Sequence, residues 1–150
     1  MCHRCPASSA TFLILVDTGP LVALCEPRDR LNRTALRDLD RLPREPLLLC
    51  GPVLGEACFL LTSTAQRERL RRAVVTLRLQ AYRSDDEDVL WAGIFAWMTR
   101  YGDHEPDWAD AYLAVVAGTD PRYRLWTYDR EFRTVWRRPD GTAIPLVPTR

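Results

Sequence analysis

TFLILV, residues 11–16, leaves this chain few ways to fold: it is short, continuously apolar and β-rich, and it stops at the charged Asp17. A strand with one wet face alternates polar and apolar residues, whereas a strand with no polar position must be covered on both faces, as in a parallel sheet. PLLLC (46–50) reads as a second buried strand, and RLWTY (124–128), followed by Asp129, as another. AYR (81–83) is a candidate short third strand. AIPLV (143–147) is a candidate edge strand, marked by Pro145.

Helical segments separate these runs. Residues 18–27 read as a turn and short helix with Pro20 in its first turn. Residues 28–42 read as an amphipathic helix in which Leu31, Ala35, Leu39 and Leu42 repeat at three- and four-residue spacing while the arginines face out. Gly51-Pro52 opens a helix through about residue 64, and another spans about 66–80. An acidic cap begins a helix over 84–102 that Gly102 stops, Pro106 starts one over 107–118 closed by Gly118, and a short helix follows Asp129. Strands alternating with helices imply a three-layer α/β/α fold with a mainly parallel central sheet.

At 150 residues the chain has the size of one domain, expected over 11–150, with 1–10 as a flexible tail. In that tail Cys2, His3 and Cys5 supply one Cys-x-x-Cys pair, too little for a zinc knuckle. The cysteines are odd in number and three of them lie in apolar runs, which suits free thiols in a reducing cytoplasm. No stretch approaches the ~18 apolar residues of a membrane span, so a cytoplasmic protein without membrane contact is expected.

Composition excludes several chemistries. All 21 basic residues are arginine, which removes Schiff bases, the phosphate-loop lysine, and the lysine of phosphoaspartate receivers and haloacid-type phosphatases. The haloacid pattern would also need a second Asp where Gly19 stands. Only His3 and His104 are imidazoles, and no serine lies in a nucleophile-elbow sequence, so a Ser-His-Asp hydrolase is excluded.

The acids are better placed. Asp17 and Asp129 are each the first charged residue after an apolar strand, and parallel strands end on the same edge, where open α/β sheets place their sites. Either acid alone could be an ordinary turn former. Glu56 is the only charge in GPVLGEACFLLTSTAQ (51–66), where a carboxylate loses hydration unless an arginine or a metal neutralises it. Asp107 and Asp110 lie three apart at a helix start. The helix dipole can satisfy Asp107, whereas Asp110 lies deeper, beside the apolar stripe. Oxygen-only ligation of this kind suits Mg²⁺ or Mn²⁺ and the activation of water against a phosphodiester.

VDTGPLVALCEP (16–27), GEACFLL (55–61), PDWADAYLAVVAG (106–118) and LWTYDREF (125–132) resemble, in order and spacing, the signature segments of PIN-domain ribonucleases, and most of all the VapC-type toxins of toxin-antitoxin pairs. The resemblance spans about residues 12–147 and leaves the first residues without a counterpart. It implies a metal-dependent endoribonuclease in which Asp17, Glu56, Asp110 and Asp129 are the metal-binding catalytic acids and Asp107 a secondary ligand. Thr127 matches a hydroxyl residue two before the last acid, where an outer hydrogen bond to a ligand is expected. A small antitoxin and a homodimer are the implied partners, with the helices at 28–42 and 66–80 as candidate surfaces. The competing reading is a PIN-like RNA-binding or scaffold module without nuclease activity.

With a net charge of +1, contact with RNA must come from a local patch. Arg122, Arg124, Arg130, Arg133, Arg137 and Arg138 gather near the last acid in sequence, and Arg67, Arg69, Arg71 and Arg72 form a second run. Arg130, Arg133, Arg137 and Arg138 are the expected RNA contacts. Trp126, Trp136 and Tyr128 could stack on bases, although Trp126 and Tyr128 in a strand are more often core.

Overall fold

A computed structural model describes residues 12–149. The expectations placed on Cys2, His3, Cys5 and the rest of residues 1–10 lie outside the described residues. Four strands, β1 (Leu13–Val16), β2 (Leu47–Leu49), β3 (Gln80–Ala81) and β4 (Tyr123–Trp126), pair in parallel in the order β3-β2-β1-β4. Consecutive residues of a strand point to opposite faces, and Ile14, Leu15 and Val16 are all buried. Both faces of β1 are therefore covered, and helices packed on each side make the three layers.

The helices are α1 (Thr18–Cys25), α2 (Asn32–Arg41), α3 (Gly51–Leu60), α4 (Thr64–Thr76), α5 (Glu87–Arg100), α6 (Trp108–Val116) and α7 (Glu131–Thr134). α1 packs against α2, α3 and α4, while α6 packs against α3 and α5. Among the described residues no helix is long and apolar enough to cross a membrane.

Several boundaries differ from those read in the sequence, each for a local reason. α2 begins at Asn32 rather than residue 28 because the Asp29 carboxylate accepts the Leu31 N–H at 2.7 Å and folds the preceding residues into a turn. α3 stops at Leu60 because Ser63 starts a new helix, exchanging hydrogen bonds with Gln66 in a capping box. α4 ends at Thr76, short of residue 80, where Arg78 turns left-handed (φ 52°) and the chain extends to pair β3 with β2. At 143–147 two isolated bridges, Leu125 with Leu146 in parallel and Arg137 with Ala143 antiparallel, replace the expected edge strand. Pro145 offers its carbonyl to Leu125 N–H but has no N–H to extend a ladder.

Cys25 and Cys50 are buried free thiols and Cys58 is half-buried. Burial pushes the Cys25 thiol up to about 11 and Cys50 up to about 12, so both stay protonated and unreactive.

The strand order sets the position of the site. From β1 the chain steps outward to β2 and β3, then returns to place β4 on the other side of β1. The order reverses between β1 and β4, and crevices of open parallel sheets form there, at the carboxyl ends of the strands.

Candidate active site

Val16 pairs with Trp126, so Asp17 and Thr127 leave the sheet side by side, and the Asp17 N–H donates to the Trp126 carbonyl at 3.0 Å. Asp17 caps α1, its Oδ1 accepting from Thr18 N–H at 2.7 Å, and its Oδ2 accepts the Thr127 hydroxyl at 2.6 Å. The same Thr127 oxygen accepts the Asp129 backbone N–H at 3.0 Å. One buried hydroxyl thereby sets the spacing of acids from two strands. Thr18 Oγ1 donates to Glu56 Oε2 at 2.6 Å, which ties the acid of α3 to the same edge.

Asp107 caps α6 by accepting the Asp110 N–H at 2.8 Å, and it is exposed. Asp110, one turn further in, is the only charge on a helix that is otherwise buried from residue 109 onward, and is itself half-buried. Asp17, Glu56, Asp107, Asp110 and Asp129 line one open cleft of about 400 Å³. Carboxylate oxygens of Asp110, Asp129 and Glu131 all lie within 4.8 Å of one another.

Crowded carboxylates in a partly dry cleft resist ionisation. Burial pushes Asp110 up to about 8, and the negative charges of Asp107, Asp17, Asp129 and Glu56 add to the shift. Burial also raises Asp17 to about 6 against the pull of its hydrogen bonds from Thr127 and Thr18, with Glu56 and Asp129 contributing. A divalent cation would relieve this repulsion. The donors lining the cleft include no imidazole or thiol, so the set fits a hard, oxygen-preferring ion such as Mg²⁺ or Mn²⁺. His104 lies elsewhere, its ring 5.9 Å from that of Trp136.

Sequence reasoning missed Glu131, Asp29 and Arg30. Glu131 follows Asp129 by two residues at the start of α7, and its N–H donates to Asp129 Oδ1 at 2.9 Å. The Asp-x-Glu spacing was the available signal. Asp29 and Arg30 line the cleft from the α1–α2 turn, which the sequence pattern had absorbed into a helix.

The basic residues disperse. Arg130 and Arg133 line a second hollow beside Asp129. Arg122 and Arg124 stand at the opposite end of β4 from Asp129, Arg122 paired with Asp120 at 2.7 Å and Arg124 over the Phe12 ring. Arg137 donates to the Arg133 and Trp136 carbonyls and Arg138 to the Thr142 hydroxyl, and neither lines the two hollows. In the second run, Arg67 and Arg69 bond backbone carbonyls while Arg71 and Arg72 pair with Glu68. Trp126 and Trp136 are fully buried and cannot stack on bases, and Tyr128 donates its hydroxyl to the buried Asp38 at 2.7 Å.

A parallel sheet whose switch point gathers acids from separate strands and helices defines a carboxylate-centred α/β domain. Residues 14–137 match the PIN domain family, and the chain belongs to it. Among solved structures it is similar to Mycobacterium tuberculosis VapC20, described as a sarcin-ricin loop cleaving toxin. That match has 24% identity and a TM-score of 0.65, and it covers 81% of this chain and 93% of that one. It is also similar to FitAcB from Neisseria gonorrhoeae, with 22% identity and a TM-score of 0.56 over 90% of this chain and 96% of that one. At these identities the likeness is one of fold. No curated protein matches the chain by sequence.

Proposed function

We propose that this PIN domain is a Mg²⁺- or Mn²⁺-dependent endoribonuclease acting in the cytoplasm as the toxin of a toxin-antitoxin pair. The observation that carries the reading is the convergence of Asp17, Glu56, Asp110 and Asp129 on one cleft, with Asp110 and Asp129 oxygens within 4.8 Å. The description of VapC20 as a sarcin-ricin loop cleaving toxin supports RNA as the substrate class. Bound among these acids, the cation supplies charge neutralisation at phosphorus and water of lowered pKa.

The chain's own residues build the rest. Asp110 and Asp129 are the foremost holders, with Glu131 beside them. Thr127 orients Asp17 and fixes the backbone that carries Asp129, and the Thr18 hydroxyl orients the Glu56 carboxylate. Asp107, occupied with the cap, acts as a helper.

A homodimer and a small antitoxin segment belong to the same proposal, but on different surfaces from those the sequence suggested. α2 and α4 expose one large apolar side chain each, Leu36 and Val75, whereas α3 exposes Leu54, Phe59 and Leu60 and α5 exposes Val89, Trp91 and Phe95. Apolar patches of this kind mark association surfaces.

The decisive experiment incubates purified protein with single-stranded RNA in Mn²⁺ and in excess chelator, with Asp17→Asn as the control. Cleavage that needs both the ion and Asp17 is expected. Metal binding without cleavage would instead favour a scaffold or RNA-binding module, and full cleavage in chelator would defeat the metal assignment.

A further inference from the structure

Six carboxylates line the acidic cleft (Asp17, Asp29, Glu56, Asp107, Asp110 and Asp129), and Arg30 is the one cation among the lining residues. It is held on a pinned turn. Asp29 N–H donates to the Glu26 carbonyl at 2.9 Å, Asn32 N–H to the Asp29 carbonyl at 3.0 Å, and Asn32 Nδ2 to the Ala23 carbonyl at 2.7 Å. With the Asp29 carboxylate held by Leu31 N–H, the backbone around Arg30 is fixed while its side chain stays exposed. Arg30 forms no salt bridge among the described residues, even beside these acids.

On the other side of Asp129 lies the second hollow, about 420 Å³, with Arg130, Arg133 and Thr149 in its wall and Asp129 as the one residue lining both. An anionic chain entering a bed of carboxylates needs cations on both sides of the reacting position. Guanidinium groups meet phosphate oxygens bidentately.

We propose that Arg30 is a phosphate contact for single-stranded RNA, which crosses Asp129 with one backbone phosphate against Arg30 and another against Arg130 and Arg133. A rigid A-form duplex cannot dip into two adjoining hollows, whereas a single strand follows such a path. The inference rests on the nuclease reading, and it names the path of the substrate across that site.

The test measures binding of a short labelled oligouridine as a function of salt, in an Asp17→Asn background that stops turnover. Each phosphate contact on a single strand contributes about 0.7 to the slope of log affinity against log salt. Arg30→Ala is expected to lower the slope by about that amount, Arg30→Lys to keep it, and Arg37→Ala, on the outer face of α2, to leave it unchanged. In the active protein Arg30→Ala is expected to raise KM with kcat little changed, and a Mn²⁺ affinity no weaker than the parent's would show the acids intact. An Arg30→Ala slope equal to that of Arg37→Ala, with the parent still binding, overturns the role of Arg30 and spares the nuclease. If the Asp17→Asn parent does not bind the strand and the protein with Asp17 intact does not cleave it, both are overturned.

Discussion

Asp107 and Asp110 stand three apart on one helix, yet they do different work. Asp107 spends its carboxylate on the cap, while Asp110 lines the cleft with Asp129, its carboxylate close to those of Asp129 and Glu131. Asp110→Asn is therefore expected to cost several orders of magnitude in cleavage, and Asp107→Asn roughly 10- to 100-fold, as changes around a metal ligand do. Rates at saturating Mn²⁺ check the ranking, which is reversed if Asp107→Asn proves the more damaged. The raised pKa of Asp110 carries a second expectation. It lies at about 8 in the fold against an ordinary 3.8, so between these values the folded chain holds the extra proton and metal-free stability falls as pH rises. Asp17, raised to about 6, adds to the lower part of that fall. Melting in chelator across this range should show the decline, and Asp110→Asn should flatten its upper limb. Because the ion displaces the same proton, Mn²⁺ affinity should climb over the same interval. Among these acids Asp17 and Asp129 were visible in the sequence because each ends an apolar strand. The bridge that Thr127 makes between them depends on strand register, which no local pattern encodes.

Glycines test how closely the helices are fitted. A Cβ on Gly118, just past α6, would stand 2.9 Å from the Pro139 ring and 3.3 Å from the Val115 carbonyl, so Gly118→Ala should destabilise by about 1–3 kcal/mol. A Cβ on Gly55, inside α3, meets nothing within 4 Å, and Gly55→Ala should stabilise by about 0.5–1 kcal/mol through helix propensity. Chemical denaturation of both variants reads the opposite signs. Strands β1, β2 and β4 and the order of the helices were legible, because apolar runs and spacing are local signals. Helix ends were less so. Residues 28–31 continue the apolar spacing of α2, and only an Asx turn at Asp29 keeps them out of the helix. Asp38 lies on that helix outside its apolar repeat, yet it is buried against Tyr128, a partner 90 positions away.

For the whole molecule, exposed apolar side chains on α3 and α5 are the expected seat of self-association. Trp91 and Phe95 rest on Trp108 at ring separations of 6.3 and 5.2 Å and leave much of their own surface to solvent. Phe59→Asp combined with Trp91→Asp should shift a dimer to monomer by light scattering while the metal-binding isotherm is retained. An unchanged dimer mass would move the interface elsewhere. The strand order also bears on how such a protein is made. Asp17 is made before the hydroxyl that orients it, which lies 110 residues later, and β4 must slot in beside β1 before the acids meet. A nascent chain that stops short of β4 thus carries only part of the acidic cluster. On the proposed nuclease reading, the chain would threaten its own message, and the machinery reading it, only once β4 has been made and has paired with β1.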